Sequence, residues 1–435
     1  MVSSDHQNLV YDIKLSSVGP GHVTGSNVVH EPSNMDLAMK LHYLRGVYFF
    51  SSEAVQGLTV YRIKEPMFTW LNHYYWTCGR FRRSNSGRPL IKCNDCGVRI
   101  IEAKCDKTID EWLEMKDSSL TKLLVSNHII GPELPFSPLV FLQVTSFKCG
   151  GMSLGLSWAH VLADAFSASD FINMWGQAMA NQLPQHPVDL SKSSSMLVKP
   201  ANRSQLATDP LSIKRVDPVG DNWITANNCK MEPFSFHITA TQLTQLQTKI
   251  SGHKATPPFE CLCTIFWQSI ARVCSRHEPE IVTVCKNERG SRRTGTLSNS
   301  AQIISTVKAD FSVKEAKPKD VAALLVEHAV DERGLIEAAV ERDGGVSDFI
   351  VYGANLTFVN LEEASFYGLE LKGQKPVHVS YLIDGIGDEG VVLVAPPGPK
   401  DSGKDSSEGR IVTVIFPEDQ VMELKSELKR EWSIA

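Results

Sequence analysis

Apolar positions along this chain form short continuous runs and helical stripes that follow one another from end to end. In the first half, residues 35–50 mix helix and strand signals. Residues 67–75 carry an amphipathic helical spacing ahead of a Gly79-Arg80 turn, and 90–93 and 98–103 read as strands. Residues 108–115 follow a helical pattern with Thr108 as N-cap, and 138–145 are a strongly apolar strand. A Gly-punctuated apolar run, 147–156, reads as a buried strand leading into Ser157-Trp158-Ala159-His160-Val161-Leu162-Ala163-Asp164. Beyond it Phe171, Met174, Trp175 and Ala178 fit the i, i+3, i+4, i+7 stripe of a helix. His160 is therefore placed where a strand gives way to a helix, with rigid elements on both sides to aim its side chain into a cleft.

From about 183 to 228 the periodicity stops, and Leu183-Pro184 and Ser191-Lys192-Ser193-Ser194-Ser195 are rich in turn formers. A structureless connection of that length links domains or has a function of its own. The second half resumes with a strand at 234–238 and helices at 240–250, 259–273 and 320–340. A strand at 412–416 and a terminal helix at 419–432 complete it. At 435 residues the chain exceeds one ordinary core. The organisation expected is a domain at 1–182, a crossover at 183–228 and a domain at 229–435, with mixed strands and helices in both, an α/β class.

Composition narrows the function classes. Hydrophobic residues make up 42% and charged residues 21%, as in ordinary globular proteins. A net charge of -5 and a pI near 6.2 exclude the basic surplus of a nucleic-acid binder. The polar start, Met1 to Gln7, has no secretory pattern, and no apolar run reaches the roughly 18 residues of a bilayer span. Membrane association would then come through a partner or an amphipathic surface. Ten cysteines without a signal point to a reducing compartment. Cys93-Asn94-Asp95-Cys96, near Cys78 and Cys105, lacks the second spaced pair of a zinc site, and Cys261 and Cys263 read as packing. No metal is expected.

The spacing His160-x-x-x-Asp164 carries the chemistry. A neutral His160 would accept a proton from a hydroxyl or amine as that nucleophile attacks a thioester carbonyl. It would then return the proton to the leaving thiolate. Asp164, about one helical turn away, would orient the ring as the third group of a triad does, or fix the backbone by pairing with a distant arginine. The same residues equally suit a satisfied core histidine and a helix-start acid favoured by the dipole. Gly151-Met152-Ser153-Leu154-Gly155 has the letters of a nucleophile elbow, but the apolar run continues past Ser153, so a strand is expected. Gly398 to Lys404 has Walker spacing with Asp405 in place of Ser or Thr, which leaves a solvated loop. Residues 384–390 read as an acidic turn. Lys254 and Thr256 precede the 259–273 helix, whose N-terminus would suit a coenzyme phosphate; an ordinary N-cap and a solvated lysine explain them as well.

With these residues in view, the chain resembles, nearly end to end, the plant acyl-CoA-dependent acyltransferases of the BAHD superfamily. The resemblance is carried by Leu15-Ser16-Ser17, Gly79-Arg80, residues 138–164 and 259–272, Leu297-Ser298-Asn299, and 367–379. Residues 35–43, 87–95 and 147–169 are similar to the eceriferum-type, wax-related subgroup. The resemblance implies a two-domain fold like chloramphenicol acetyltransferase, with the motif histidine in a channel at the domain interface. Acyl-CoA would enter from one face as substrate or ligand and the acceptor from the other, with no permanently bound cofactor. It also implies that the segment about 360–385 packs with the N-terminal domain. The motif aspartate of the superfamily pairs with an arginine, here Arg289, so an Asp164–Arg289 salt bridge is expected.

Two departures stand out. Ala165 replaces a glycine, and Glu370-Leu371-Lys372-Gly373-Gln374 replaces the superfamily's Asp-Phe-Gly-Trp-Gly. The second counts against ordinary acyl transfer. The subgroup implies an accessory role in elongating very-long-chain acyl-CoA for cuticular wax. The partner would be the elongase condensing enzyme, a ketoacyl-CoA synthase, and the place the cytosolic face of the endoplasmic reticulum. The alternative is an acyltransferase acting on a hydroxyl or amine acceptor, with His160 as its base.

Overall fold

Two mixed sheets organise the chain. They are seen in a computed structural model that describes residues 9–131, 133–182, 209–217, 222–225, 227–251, 256–274, 277–288, 297–398 and 409–434. The first sheet runs in the order Val10–Val18, Val98–Cys105, Val140–Phe147, Met152–Ala159, Tyr43–Phe50, His378–Asp384. The second runs Met231–Ile238, Arg410–Pro417, Val391–Ala395, Leu356–Asn360, Ile281–Asn287, Gln302–Lys308, Val330–Asp331. The strand His378–Asp384, late in the chain, thus closes the first sheet by pairing antiparallel with Tyr43–Phe50. Every residue of Tyr43–Phe50 and Met152–Ala159 is buried, which accounts for their continuous apolar runs where a half-exposed strand would alternate.

Each sheet has its own core. Trp70, Trp158, Trp175 and Phe171 fill the first between the sheet and the helices Val60–Trp70 and Ala165–Met179. In the second, Pro258–Val273 packs with Pro318–Glu327 and Glu418–Trp432 and lies on the strands Leu356–Asn360 and Val391–Ala395. Cys78 and Cys93 sit in the first core, and Cys261 and Cys263 in the second. Burial pushes the Cys78 and Cys261 thiols up to about 12, so both act as packing groups. No helix among the described residues is long and apolar enough to cross a membrane.

Several elements differ from the sequence expectation. The run 147–156 is two elements: Val140–Phe147 ends at its start, a turn follows with Gly150 at φ 79°, and the next strand begins at Met152. Apolar residues continue through that turn and hide it. The helix expected at 67–75 is Val60–Trp70, capped by Thr59, with Pro66 inside it. The pattern at 320–340 is two helices, Pro318–Glu327 and Arg333–Glu341. They are split where Val330–Asp331 pairs with Gln302–Lys308. In the connection, Lys214–Val216 pairs with Asp348–Ile350, and Trp223 is buried against Phe81. Ser153 lies mid-strand, so no elbow forms there.

Candidate functional site

The strand Met152–Ala159 delivers His160 to the meeting of the two sheets. Ala159 pairs with Tyr43, and one residue further the His160 amide donates to the His42 carbonyl at 3.0 Å. The chain then makes a single 3-10 turn, His160–Leu162, closed by the Trp158 indole donating to the Ala163 carbonyl at 3.0 Å. Asp164 is the N-cap of the helix Ala165–Met179: its Oδ1 accepts from the Ser167 amide at 2.7 Å. The aspartate therefore fixes the start of the motif helix.

A tyrosine holds the His160 ring. His160 Nε2 and the Tyr352 hydroxyl are 3.0 Å apart, and Gln302 Nε2 donates to the same hydroxyl at 2.6 Å. The phenol oxygen thus joins the Gln302 amide to the imidazole, and which of the two rings donates depends on the His160 tautomer. His42 flanks the Tyr352 ring, 4.9 Å from it between centroids. Its Nε2 accepts from the Val351 amide at 3.0 Å, while its carbonyl receives the His160 amide. The His160 carbonyl in turn receives Asn299 Nδ2 at 2.9 Å, and that amide group also reaches Asp36 Oδ1 at 2.8 Å. Backbone, ring and neighbouring turns are thus pinned by hydrogen bonds from three distant parts of the chain.

Burial sets the electrostatics. His160 is 0% exposed, and desolvation lowers its pKa to about 4; burial and the neighbouring His160 lower His42 to about 3. Both rings are neutral at pH 7. Beside Asp164, Tyr352 and Gln302 lies a void with about 10 Å³ of space, at the lower limit of what one water needs. His160 is thus basic in form, but its Nε2 already meets the Tyr352 hydroxyl.

The shifted histidines predict acid sensitivity. Between pH 6.5 and about 4 the unfolded chain binds a proton at His160 that the folded chain refuses, and at His42 the window extends to about 3. More protons on the unfolded side mean that stability falls as pH drops, by about 1.4 kcal/mol per pH unit for each histidine. Urea unfolding at pH 7, 6 and 5 should show that slope. A flat profile would mean the two rings are not held neutral.

Among the residues expected from sequence, His160 and Asp164 lie in this site, where Tyr352 meets the His160 ring and Asp164 caps the motif helix. Arg289 and Lys254 lie outside the described residues, and with them the expected Asp164–Arg289 pair. Thr256 is buried, and its carbonyl accepts from Gln247 Nε2 at 2.6 Å. The helix after it starts with Pro257 and Pro258, which supply no N–H, and carries Glu260 in its first turn, ion-paired to Lys286. Those features suit a phosphate poorly. The segment 370–374 forms a tight turn, with Leu371 and Gln374 exchanging backbone hydrogen bonds and both Lys372 (φ 53°) and Gly373 (φ 72°) left-handed. Its flank, Leu369 and Glu370, packs against Gly176 of the motif helix. Sequence reasoning missed His42, Gln302 and Tyr352 as site residues. His42, Asn299 and Asp36 fell in stretches that carried the resemblance, yet nothing local marks any of the five as a neighbour of His160.

Comparison with known proteins agrees with this architecture. A model of the Transferase family matches residues 25–294. Protein ECERIFERUM 26 of Arabidopsis thaliana is 41% identical over 429 residues, spanning 99% of this chain and 97% of that protein. Protein ECERIFERUM 2 of the same plant is 38% identical, spanning 96% and 98%. Among solved structures, vinorine synthase superposes with a TM-score of 0.67 at 16% identity, covering 97% of this chain and 98% of that one. Fusarium sporotrichioides TRI101, complexed with coenzyme A and T-2, gives 0.69 at 14% identity, covering 94% and 98%. The fold is the mixed α/β, two-domain fold of those structures, with His160 at the meeting of its two sheets, and the chain belongs to the BAHD transferase family, within its eceriferum-type group.

Proposed function

We propose that this chain is an accessory factor in elongating very-long-chain acyl-CoA for cuticular wax. It would act beside an elongase condensing enzyme at the cytosolic face of the endoplasmic reticulum, with His160 as a positioning residue. The observation that carries this reading is the contact between the Tyr352 hydroxyl and His160 Nε2, the nitrogen a general base would use. A general base must reach the proton it removes, and this one already holds a phenol. Full-length similarity to eceriferum proteins supports the wax assignment, and the coenzyme A in the TRI101 structure supports an acyl-CoA as ligand. The replaced signature at 370–374 supports it further.

Acyl-chain profiling in a heterologous host that carries a plant ketoacyl-CoA synthase tests the proposal. Longer chains are expected with this protein and equally with its His160→Ala variant. Longer chains with the intact protein alone, when the variant is folded, would give His160 a chemical role. No lengthening with either would return the alternative, acyl transfer to a hydroxyl or amine, which the neutral His160 and the retained Asp164 cap favour.

A further inference from the structure

A second space lies between the sheets, separate from His160. It holds about 370 Å³, within the range of about 300–1,000 Å³ typical of small-molecule sites. Its wall is formed by the start of the strand Tyr43–Phe50, the end of His378–Asp384, and Met231, Pro233 and Ile415 from the second sheet. Most of the lining is aliphatic or aromatic, Trp223, Ile129, Ile383 and Ile386 among it. Ile383 also lines the void beside Asp164 and Tyr352, so it stands between the two spaces.

One cation is set into this apolar wall. The Arg45 side chain is 3% exposed. Its Nη1 donates to Ser157 Oγ and its Nη2 to the His128 carbonyl at 3.1 Å, and the guanidinium lies 5.0 Å from the Tyr43 ring centroid. Its Nε finds no acceptor among the described residues. The nearest carboxylate is Asp384, 3.6 Å from Nη2, on a side chain that is 40% exposed at the rim. Lys122 and Lys230 also line the space, the second paired with Glu418. A buried guanidinium bordering the space, with a loose counterion beside its Nη2 and an aliphatic surround, recognises an anion that brings its own apolar tail.

We propose that this cavity binds an aliphatic carboxylate, with its head on Arg45 and its chain along Trp223, Ile383 and Ile386. The chain would be held apart from His160, so the site is one of binding and not of reaction. It stands on its own geometry and not on the elongation reading.

Calorimetric titration of the full chain with dodecanoate and with dodecanol tests it. Dodecanoate should bind roughly tenfold or more tighter than the alcohol, since a charged hydrogen bond is at stake. Arg45→Gln should erase that preference. Asp384→Asn, which removes the competing carboxylate, should tighten dodecanoate binding. Ile224→Trp, at a position on the lining that is already half-exposed, should block both ligands. Equal binding of acid and alcohol, no binding of dodecanoate, or an acid preference that survives in a folded Arg45→Gln protein would overturn the proposal. Should Arg45→Gln fail to fold, Asp384→Asn and Ile224→Trp still decide: weakened or unchanged dodecanoate binding in the first, or unchanged binding in the second, overturns it.

Discussion

Replacing Tyr352 with alanine should turn this protein into a slow acyl-CoA hydrolase. The ring now packs against His160 Nε2, and its removal leaves a neutral imidazole facing a new cavity the size of the lost phenol, with room for a water and a thioester carbon. Nε2 would take a proton from water as the water oxygen bonds to the thioester carbon. The tetrahedral intermediate would then expel the thiolate, with the proton returned from the imidazolium, leaving a carboxylic acid and free coenzyme A. Positioned acid–base catalysis contributes about 10²–10⁴-fold, and that range is the expected gain over the parent protein in thiol release from octadecanoyl-CoA. Tyr352→Phe provides the contrast. It keeps the ring and the closed volume, strips a hydrogen bond from both His160 and Gln302, and should cost about 1–3 kcal/mol of stability with no gain in turnover. His160→Ala combined with Tyr352→Ala should abolish the gain. Turnover in the parent protein equal to that of the Tyr352→Ala variant would show that Tyr352 does not close the site.

The elements of this site were readable in the sequence, but their meeting was not. Thr108 caps its helix through a reciprocal bond with Glu111, and Asp164 caps the motif helix; both are local chemistry that residue type and spacing reveal. The stripe Phe171, Met174, Trp175 and Ala178 is buried as its period requires. By contrast, His42 and Tyr352 are 310 residues apart, and the hydrogen bonds that surround His160 come from a turn, a strand end and a loop. No periodicity links them. The resemblance supplied the interface position of His160 and an arginine partner for Asp164, while the picture of Asp164 orienting the ring came from the His-x-x-x-Asp spacing; neither pointed to Tyr352. Turns buried under apolar residues, such as 148–151, are opaque for the opposite reason: the hydrophobic signal there is continuous, while the backbone is not.

The support beneath Tyr352 gives the other large effect. Lys40, 1% exposed, reaches Asp348 at 2.8 Å and the Val346 carbonyl at 3.1 Å. That joins the turn bearing His42 to the strand Asp348–Ile350, which runs directly into Val351 and Tyr352. Lys40→Met removes one charge of a buried pair and leaves the carboxylate without this cation, at an expected cost of about 3–5 kcal/mol in denaturant unfolding. Asp348→Asn should cost less. Burial already lowers the Lys40 pKa, and Asp348 is the first group holding it up, so without that carboxylate the amine can shed its proton and avoid the desolvation penalty. The loss in Lys40→Met should also reach the site. Amide exchange at Val351, whose N–H is held by His42, should accelerate more than exchange in the Pro258–Val273 helix of the second core. Equal costs for the two substitutions, or uniform exchange across both cores, would mean that this pair stabilises the chain as a whole and does not anchor Tyr352 against His160.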